Sequence, residues 1–469
     1  MKNQDPPLDI LKPLVTLFNN GKLRQSLSES SQMLETFPNS IVLCNISGAS
    51  SAGLKQFDAA LKYYKKALEI NPDYAEAYYN MGIALKDNGD LDAAIDSYKK
   101  ALEIKPDYVG AYFNTGNILK DTGDLEAAID SYKKALEIKP DYAEAYNNVG
   151  IALEDKGDLE EAINSYKKAL EIKPDYAEAR ENLILLLTSY IPQKDNSHLI
   201  VELNEKIRKI DIKDNISKII TDDQVVSLFA KSQDYINSFD LDIKIKKSQA
   251  FRRNSVNLNC ERHLLIFDKH DVIPEFCFSC YKVQVEPRSI IELIKLFIIF
   301  DQLDLQENNT RKCMVELRPE ISGFYKGLIY CSSLKQANQI SEYLDITIKQ
   351  SIGLGLCSTV KRGCSEYAIS YPDYKEINNT GPQVMNYKKE WEVIEESHDK
   401  NEPFYHNDKL RVSLPGLNLS DILIIRKWID YAKGIGDPSA ELLNQNKIHY
   451  QLIHDRAKAR LNSFDLTTL

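Results

Sequence analysis

Residues Ala75–Tyr108 read AEAYYNMGIALKDNGDLDAAIDSYKKALEIKPDY. Nearly the same string follows twice more, as Val109–Tyr142 (VGAYFNTGNILKDTGDLEAAIDSYKKALEIKPDY) and Ala143–Tyr176 (AEAYNNVGIALEDKGDLEEAINSYKKALEIKPDY). Pro72, Pro106, Pro140 and Pro174 mark the period, each 34 residues after the last. A fixed period of this length belongs to a helix–turn–helix unit stacked on copies of itself, because one unit cannot bury its apolar face alone. Within Ala75–Tyr108 the first helix is expected over AEAYYNMGIALKDNG and the second over DLDAAIDSYKKALEI. Gly89 and Asp90 break the chain between them, with Asp90 placed as an N-cap whose carboxylate accepts from the first turn. Pro106 and Asp107 stop the second helix and start the next turn.

Small residues at fixed positions predict where the helices cross. Gly82 and Ala94 mark close approach within a unit, and Tyr98 with Ala101 forms a neighbouring large-and-small pair. The set recurs as Gly116, Ala128, Tyr132, Ala135 and as Gly150, Ala162, Tyr166, Ala169. A weaker unit, Ile41–Tyr74, keeps Gly48, Ala60, Tyr64 and Ala67, while Pro7–Ser40 keeps little beyond Gly21 and Pro38. Residues 1–40 are therefore expected as a degenerate N-terminal cap and residues 41–190 as the array, closed by a helix over Ala177–Tyr190.

This spacing of glycine, aromatic, alanine and proline in four consecutive units resembles the tetratricopeptide repeat family. The usual early tryptophan is replaced by Tyr78, Tyr112 and Tyr146. The resemblance implies a right-handed superhelix whose concave face, built from first helices, holds a peptide or partner protein. Asn80, Asn114, Asn148 and Asn182 occupy one position, again 34 apart. Stacking places these amides in a row, and an amide carries both donor and acceptor for an extended backbone. The position is similar to the asparagine ladder in the repeats of O-linked N-acetylglucosamine transferase. The alternative is that each asparagine bonds only to the adjacent helix, or came along with repeat duplication.

Between Ile41 and Tyr176 stand 16 lysines and 24 aspartates and glutamates, a charge of −8 out of −10 for all 469 residues. An acidic array does not attract nucleic acid by its long-range field. The first residues, MKNQDPPLDILKPL, lack an apolar signal core. The most apolar run, Ile290–Phe300, contains Glu292 and Lys295 and is too short to span a bilayer. No membrane span is expected, and the reading is a cytoplasmic protein.

After Tyr190 the repetition stops. A polar linker (Ile191–Asn196) and two amphipathic helices (Leu199–Ile210, Asp222–Phe239) make a helical connector over residues 191–255. It ends in an alternating strand at Leu241–Lys247 and a polar, basic segment at Ser248–Asn259. Residues 256–380 read as an α+β domain. Strands are expected in Tyr281–Pro287, Arg311–Pro319 and Gly323–Ser333, with one or two more in CSTVKRGCSEYAISYP. A helix capped by Ser289 follows the first, and LKQANQISEYLDITIKQ follows the third. The order strand, helix, strand, strand, helix, strand is that of a ferredoxin-like split βαβ sandwich. Residues 381–469 are expected to be mostly helical, with a helix at Ser420–Lys433 capped by Ser420.

Seven of the eight cysteines lie after residue 255. In a long chain without a secretion signal these are metal ligands, redox thiols or small buried hydrophobes rather than disulfides. Cys260-x2-His263 and Cys277-x2-Cys280 make two paired-ligand knuckles of the kind tetrahedral zinc requires, with all four positions filled and a structural role implied. The competing reading is a strand through Phe276–Tyr281 with both cysteines buried. Basic residues Lys244, Lys246, Lys247, Arg252, Arg253, Lys361 and Arg362, beside Tyr281, Tyr325 and Tyr367, suggest either a nucleic-acid face or solvated edges. Arg288, Glu316, Arg318, Glu320, Glu366 and Asp373 sit near expected strand ends. G-x-S-x-G, Walker A and H-E-x-x-H signatures are absent from the sequence.

The leading expectation is a non-enzymatic scaffold that binds a protein or extended peptide. The alternatives are a glycosyltransferase of the O-linked N-acetylglucosamine class that recruits substrate through its repeats, and a zinc-stabilised nucleic-acid-binding protein. The stretch after the array lacks the alternating strand–helix series of two nucleotide-binding lobes.

Overall fold

In the computed structural model, four successive repeats are each built on a tyrosine packed against a glycine. A Cβ placed on Gly48, Gly82, Gly116 or Gly150 would fall 2.5–2.6 Å from the ring of Tyr64, Tyr98, Tyr132 or Tyr166 respectively. No carbon fits there, so the two helices approach closely only because the side chain is absent. The four tyrosines are exposed by 1% or less, and Ala60, Ala94, Ala128 and Ala162 by 0%. The structure describes residues 5–193, 198–210, 219–239, 243–253, 260–318, 321–364, 366–368, 370–378, 382–401, 411–443 and 450–465. The chain forms two compact units, Met1–Ala179 and Arg180–Leu469, divided within a helix at Ala177–Leu186.

The first unit is a succession of antiparallel helix pairs. The pairs are α1 (Leu8–Asn19) with α2 (Leu23–Thr36), α3 (Ile41–Gly53) with α4 (Phe57–Ile70), and α5 (Ala75–Asn88) with α6 (Leu91–Ile104). Then come α7 (Val109–Asp121) with α8 (Leu125–Ile138), and α9 (Ala143–Lys156) with α10 (Leu159–Ile172), before α11 (Ala177–Leu186). Gly89 and Gly157 end α5 and α9 at φ +92° and +97°, a left-handed conformation that an L side chain adopts only under strain. Asp90 occupies the expected N-cap position, but its carboxylate accepts from Asn88 Nδ2 at 2.8 Å rather than from backbone. At the equivalent position Asp124 does cap, accepting from the Ala127 N–H at 3.2 Å. Between α2 and α3 the contact is polar: Ser30 meets Ser47 at 2.7 Å, and Ser50 donates to Ser26 at 3.1 Å, all four buried.

The second unit opens with α12 (Leu199–Arg208) and α13 (Asp222–Ser238), the latter started by a Thr221–Gln224 capping box. A five-stranded antiparallel sheet follows: β1 (Gln249–Arg252), β2 (Tyr281–Val285), β3 (Arg311–Val315), β4 (Tyr325–Cys331) and β5 (Ser358–Arg362), in lateral order β1-β3-β4-β2-β5. Between β1 and β2 lie α14 (Cys260–His270) and the short α15 (Glu275–Ser279). Helix α16 (Ile290–Gln302) links β2 to β3, and α17 (Leu334–Ser351) links β4 to β5. Ser289 caps α16 as expected, accepting from Glu292 N–H. A Cβ on Gly327 of β4 would collide with Leu296 and Phe300 of α16, so glycine lets this helix press onto the sheet. After β5 come α18 (Glu392–Asn401), α19 (Leu419–Ile435) and α20 (Gln451–Asp465).

Several expectations need correction. Residues 243–247 do not form a strand, and 241–242 lie outside the described residues. The strand is instead β1, inside the segment read as polar and basic. It forms there because Ala250 and Arg252 point inward, and Arg252 finds buried acids. Its Nη1 and Nη2 donate to Asp421 at 2.9 and 2.6 Å, and its Nε lies 2.7 Å from Asp301. Its guanidinium also stands 4.2 Å over the Phe297 ring. Phe276–Ser279 is helical rather than extended. Of the one or two strands expected after α17, the described residues contain one, β5, and 3-10 turns take over at Glu366–Ala368 and Pro372–Lys375. Helix α19 is capped by Asn418, whose Oδ1 accepts from Asp421 N–H while Asp421 accepts from Asn418 N–H. Ser420 is a buried residue inside that helix.

Candidate functional site

The four ladder asparagines lie half-buried on first helices, at one register of α5, α7, α9 and α11. Asn80 Nδ2 donates to Asn45 Oδ1 at 2.9 Å, and Asn114 Nδ2 to Tyr79 Oη at 3.2 Å. Asn45 and Tyr79 are themselves equivalent, one repeat apart. At the next repeat that position is Phe113, which has no acceptor. Asn148 Nδ2 turns instead to Asn117 Oδ1 at 2.8 Å, which also accepts from Tyr132 Oη at 2.8 Å. The amide N–H groups therefore point into the stack and join neighbouring repeats. Among the described residues no donor reaches Oδ1 of Asn80 or Asn114, and Asn148 Oδ1 accepts only from Asn147 at 3.3 Å. A row of hydrogen-bond acceptors remains.

The residues predicted as two knuckles lie in α14 and around α15. Cys277 sits in α15 and Cys280 is its C-cap, directly before β2. Cys364 follows β5, which pairs with β2. Cys364 packs against the small core that contains Cys277, Gly363 comes up against Cys280, and Cys260 is exposed. Tyr367 Oη lies 3.5 Å from Cys277 Sγ, and Tyr374 Oη donates to Cys277 O at 2.8 Å. Burial pushes the Cys280 thiol up to about 12. His263 stands apart: its ring stacks on Phe276 at 5.3 Å, and its charged neighbours are Arg262, Glu395 and Asp399. Burial, helped by Arg262, holds that imidazole down at about 4, hence neutral. Among the described residues no group of three or more His, Cys, Asp or Glu side chains is placed to hold a metal ion.

The basic residues singled out in the sequence do not share a surface. Arg252 and Arg362 are buried, Arg253 donates to Ser413 O, and the half-exposed Lys361 pairs with Glu286 at 3.7 Å. Of the strand-end polar residues, Glu316, Arg318 and Glu366 form one network. Arg318 Nε donates to Glu316 at 2.9 Å, Lys326 approaches Glu316 at 3.2 Å, and Arg318 also binds Glu366. Burial raises the Glu316 carboxyl, but Arg318 hydrogen bonds and the Lys326 and Arg318 charges outweigh it and hold it at about 2. Arg288 pairs with Glu292 on the surface, Asp373 lies in a 3-10 turn, and Glu320 is outside the described residues.

Cys364 stood outside the two knuckles read from spacing. Its position depends on β2 pairing with β5, a contact between segments far apart in the chain. One local signal was present: a Cβ on Gly363 would collide with Cys280 Sγ, so the glycine before Cys364 is what lets the two cysteine segments meet.

Among the described residues, no helix is long and apolar enough to cross a membrane. No curated protein matches the chain. Similar solved structures include the crystal structure of MamA, 29% identical, covering 35% of this chain and 95% of that one, with a TM-score of 0.32. A MamA fragment from Desulfovibrio magneticus RS-1 is 18% identical over 36% of this chain and 94% of its own, with a TM-score of 0.33. YrrB, described as a TPR protein with an unusual peptide-binding site, is 22% identical over 38% and 92%, with a TM-score of 0.32. Family models described as TPR repeat match residues 54–89 and 116–157, and models described as tetratricopeptide repeat match 75–108, 143–176 and 97–130. With the 34-residue period and the glycine–tyrosine crossings, these matches identify residues 54–176 as tetratricopeptide repeats.

Proposed function

We propose that the array holds an extended peptide or an extended segment of a partner protein along its first helices. The carboxamide oxygens of Asn80, Asn114 and Asn148 would receive backbone N–H groups of that segment. The observation that carries this reading is the one-sided use of the ladder: donors turned into the stack, acceptors left over at a fixed repeat. Such a row binds main chain and is indifferent to side chains. The −8 charge of residues 41–176 favours a basic segment through electrostatic complementarity.

The test is a peptide selected from a random displayed library on the full chain, then titrated against native protein and the variant with Asn80, Asn114 and Asn148 changed to alanine. At about 1 kcal/mol per hydrogen bond the variant is expected to bind roughly a hundredfold more weakly. Equal affinity, with an unchanged circular dichroism spectrum, removes the ladder from the reading.

For the second unit we infer a ferredoxin-like split βαβ sandwich with β1 as an added edge strand. The lateral order β5-β2-β4-β3, the antiparallel pairing and the α16 and α17 crossovers support it. That topology names no reaction.

A further inference from the structure

We propose that a groove between α17 and the loop after α16 docks a short extended segment of a partner protein in which apolar and basic residues alternate. This inference is independent of the asparagine ladder, which lies in the first unit.

The groove has a volume of about 790 Å3, within the range of ligand-binding clefts. One wall is the loop Asp304–Asn309. The other is a stripe of α17, Lys335, Gln339, Glu342, Tyr343 and Ile346, whose three- and four-residue spacing puts them on one helix face. Asn309 fastens the two walls, since its Nδ2 donates to Gln336 Oε1 at 3.2 Å and to Tyr330 O at 2.8 Å. Leu305 and Ile340, 9% and 8% exposed, give an apolar floor. Tyr343 and Ile346, 45% and 57% exposed, carry that apolar strip out to the rim.

Charge selects the occupant. Three carboxylates, Asp304, Glu307 and Glu342, line the groove against one ammonium, Lys335, a balance of −2. Among the described residues none of the three has an ion-pair partner. Arg311 lies behind the loop, fully buried, and its Nη1 is spent on the carbonyls of Phe300 and Leu303 at 2.6 and 2.7 Å rather than on these carboxylates. A cationic segment is therefore attracted and an anionic one repelled. Length sets its size. From Lys335 to Ile346 the helix rises about 17 Å, the span of about five residues of extended chain. Successive side chains of such a chain point to opposite sides. Apolar ones at alternate positions then drop onto Leu305 and Ile340, while basic ones between them reach the carboxylates.

The test is fluorescence anisotropy of the labelled peptide Leu-Arg-Leu-Arg-Leu with the full chain. Native protein is expected to bind it, less tightly as salt rises, and to bind Leu-Glu-Leu-Glu-Leu and Ser-Arg-Ser-Arg-Ser at least about tenfold more weakly. Glu342→Lys and Ile346→Ser, both at exposed positions, should each weaken binding by about tenfold. Changing Asn80, Asn114 and Asn148 to alanine should leave it unchanged. A native chain that does not bind the peptide overturns the proposal. So does binding that survives both groove variants, or that is lost only in the asparagine variant, which would put the peptide in the array. A native dimer that Ile346→Ser converts to monomer in sedimentation would make a second copy of the chain the occupant, and overturns it as well.

Discussion

The two units are held together by different kinds of contact. In the array the decisive pairs are close in sequence and recur: Tyr132 reaches Asn117 only 15 residues back, and each tyrosine meets the glycine of its own repeat. In the second unit the decisive pairs occur once and span long stretches. Arg252 reaches Asp421 across 169 residues, and the Leu419 N–H reaches Asn204 across 215. A stack of near-identical contacts loses stability locally and in increments, because each repeat touches only its neighbours. A body tied by single long-range buried contacts loses it all at once. Four substitutions or conditions separate these behaviours.

The largest effect is expected from Arg252→Ala. It leaves Asp421 and Asp301 buried without their cation, and breaking a buried pair from one side costs about 3–5 kcal/mol. Both tryptophans, Trp391 and Trp428, lie in the second unit, and Trp428 packs on the same Phe297 ring that Arg252 covers. Tryptophan fluorescence therefore reports that unit. Its midpoint in urea should fall sharply, while most of the helical circular dichroism, contributed by the repeats, persists. A fluorescence midpoint unchanged within error would show that the buried network is not what holds the second unit.

This contrast also explains what could be read from the sequence. The array was legible down to its contacts, because a 34-residue period turns every packing rule into a repeated letter. Even so, the ladder's hydrogen bonds were hidden: where Asn148 turns is decided by Phe113 in the preceding repeat. In the second unit, strand and helix segments were readable from alternation and capping at Ser289. The position of β1 was not, since a run of arginine looks solvated until Asp301 and Asp421 are placed beside it. The cysteine group was half legible, because Cys277 and Cys280 share a knuckle, whereas Cys364 arrives only through the pairing of β2 with β5. Spacing favoured His263, which the fold turns toward Phe276.

A smaller effect on the second unit comes from acid. Glu316 is held at about 2 against a usual value of 4.5. A carboxyl lowered on folding stabilises the fold above its unfolded pKa, and that contribution disappears as pH falls from about 4.5 toward 2. Discounted for the partial exposure of Arg318, it amounts to about 1–2 kcal/mol. Urea midpoints by fluorescence should drop more steeply across that window in the native chain than in Glu316→Gln. Parallel pH profiles would show that other groups carry the acid sensitivity.

Gly116→Ala tests the array in the same terms and should have a smaller, local effect. The added methyl would sit 2.6 Å from the Tyr132 ring, so the ring or the helix must move. Overpacking of this kind costs about 1–3 kcal/mol, offset by about 1 kcal/mol from replacing a helical glycine. A net loss of about 1 kcal/mol remains. Gly89→Ala is the control of opposite origin: nothing lies within 4 Å of its Cβ position, and only its φ of +92° resists a side chain, at a cost of about 1 kcal/mol. Two variants of similar cost thus differ in mechanism, and a rescuing change distinguishes them. Trimming the ring, Tyr132→Leu, should recover part of the loss in Gly116→Ala and none in Gly89→Ala. Amide hydrogen exchange in Gly116→Ala should quicken through α7 and α8 and their neighbours α6 and α9, and stay unchanged in α3 and α4. Exchange that quickens evenly from α3 to α10 would mean the repeats unfold as one block, and the distinction between an incremental array and an all-or-none second unit would fail.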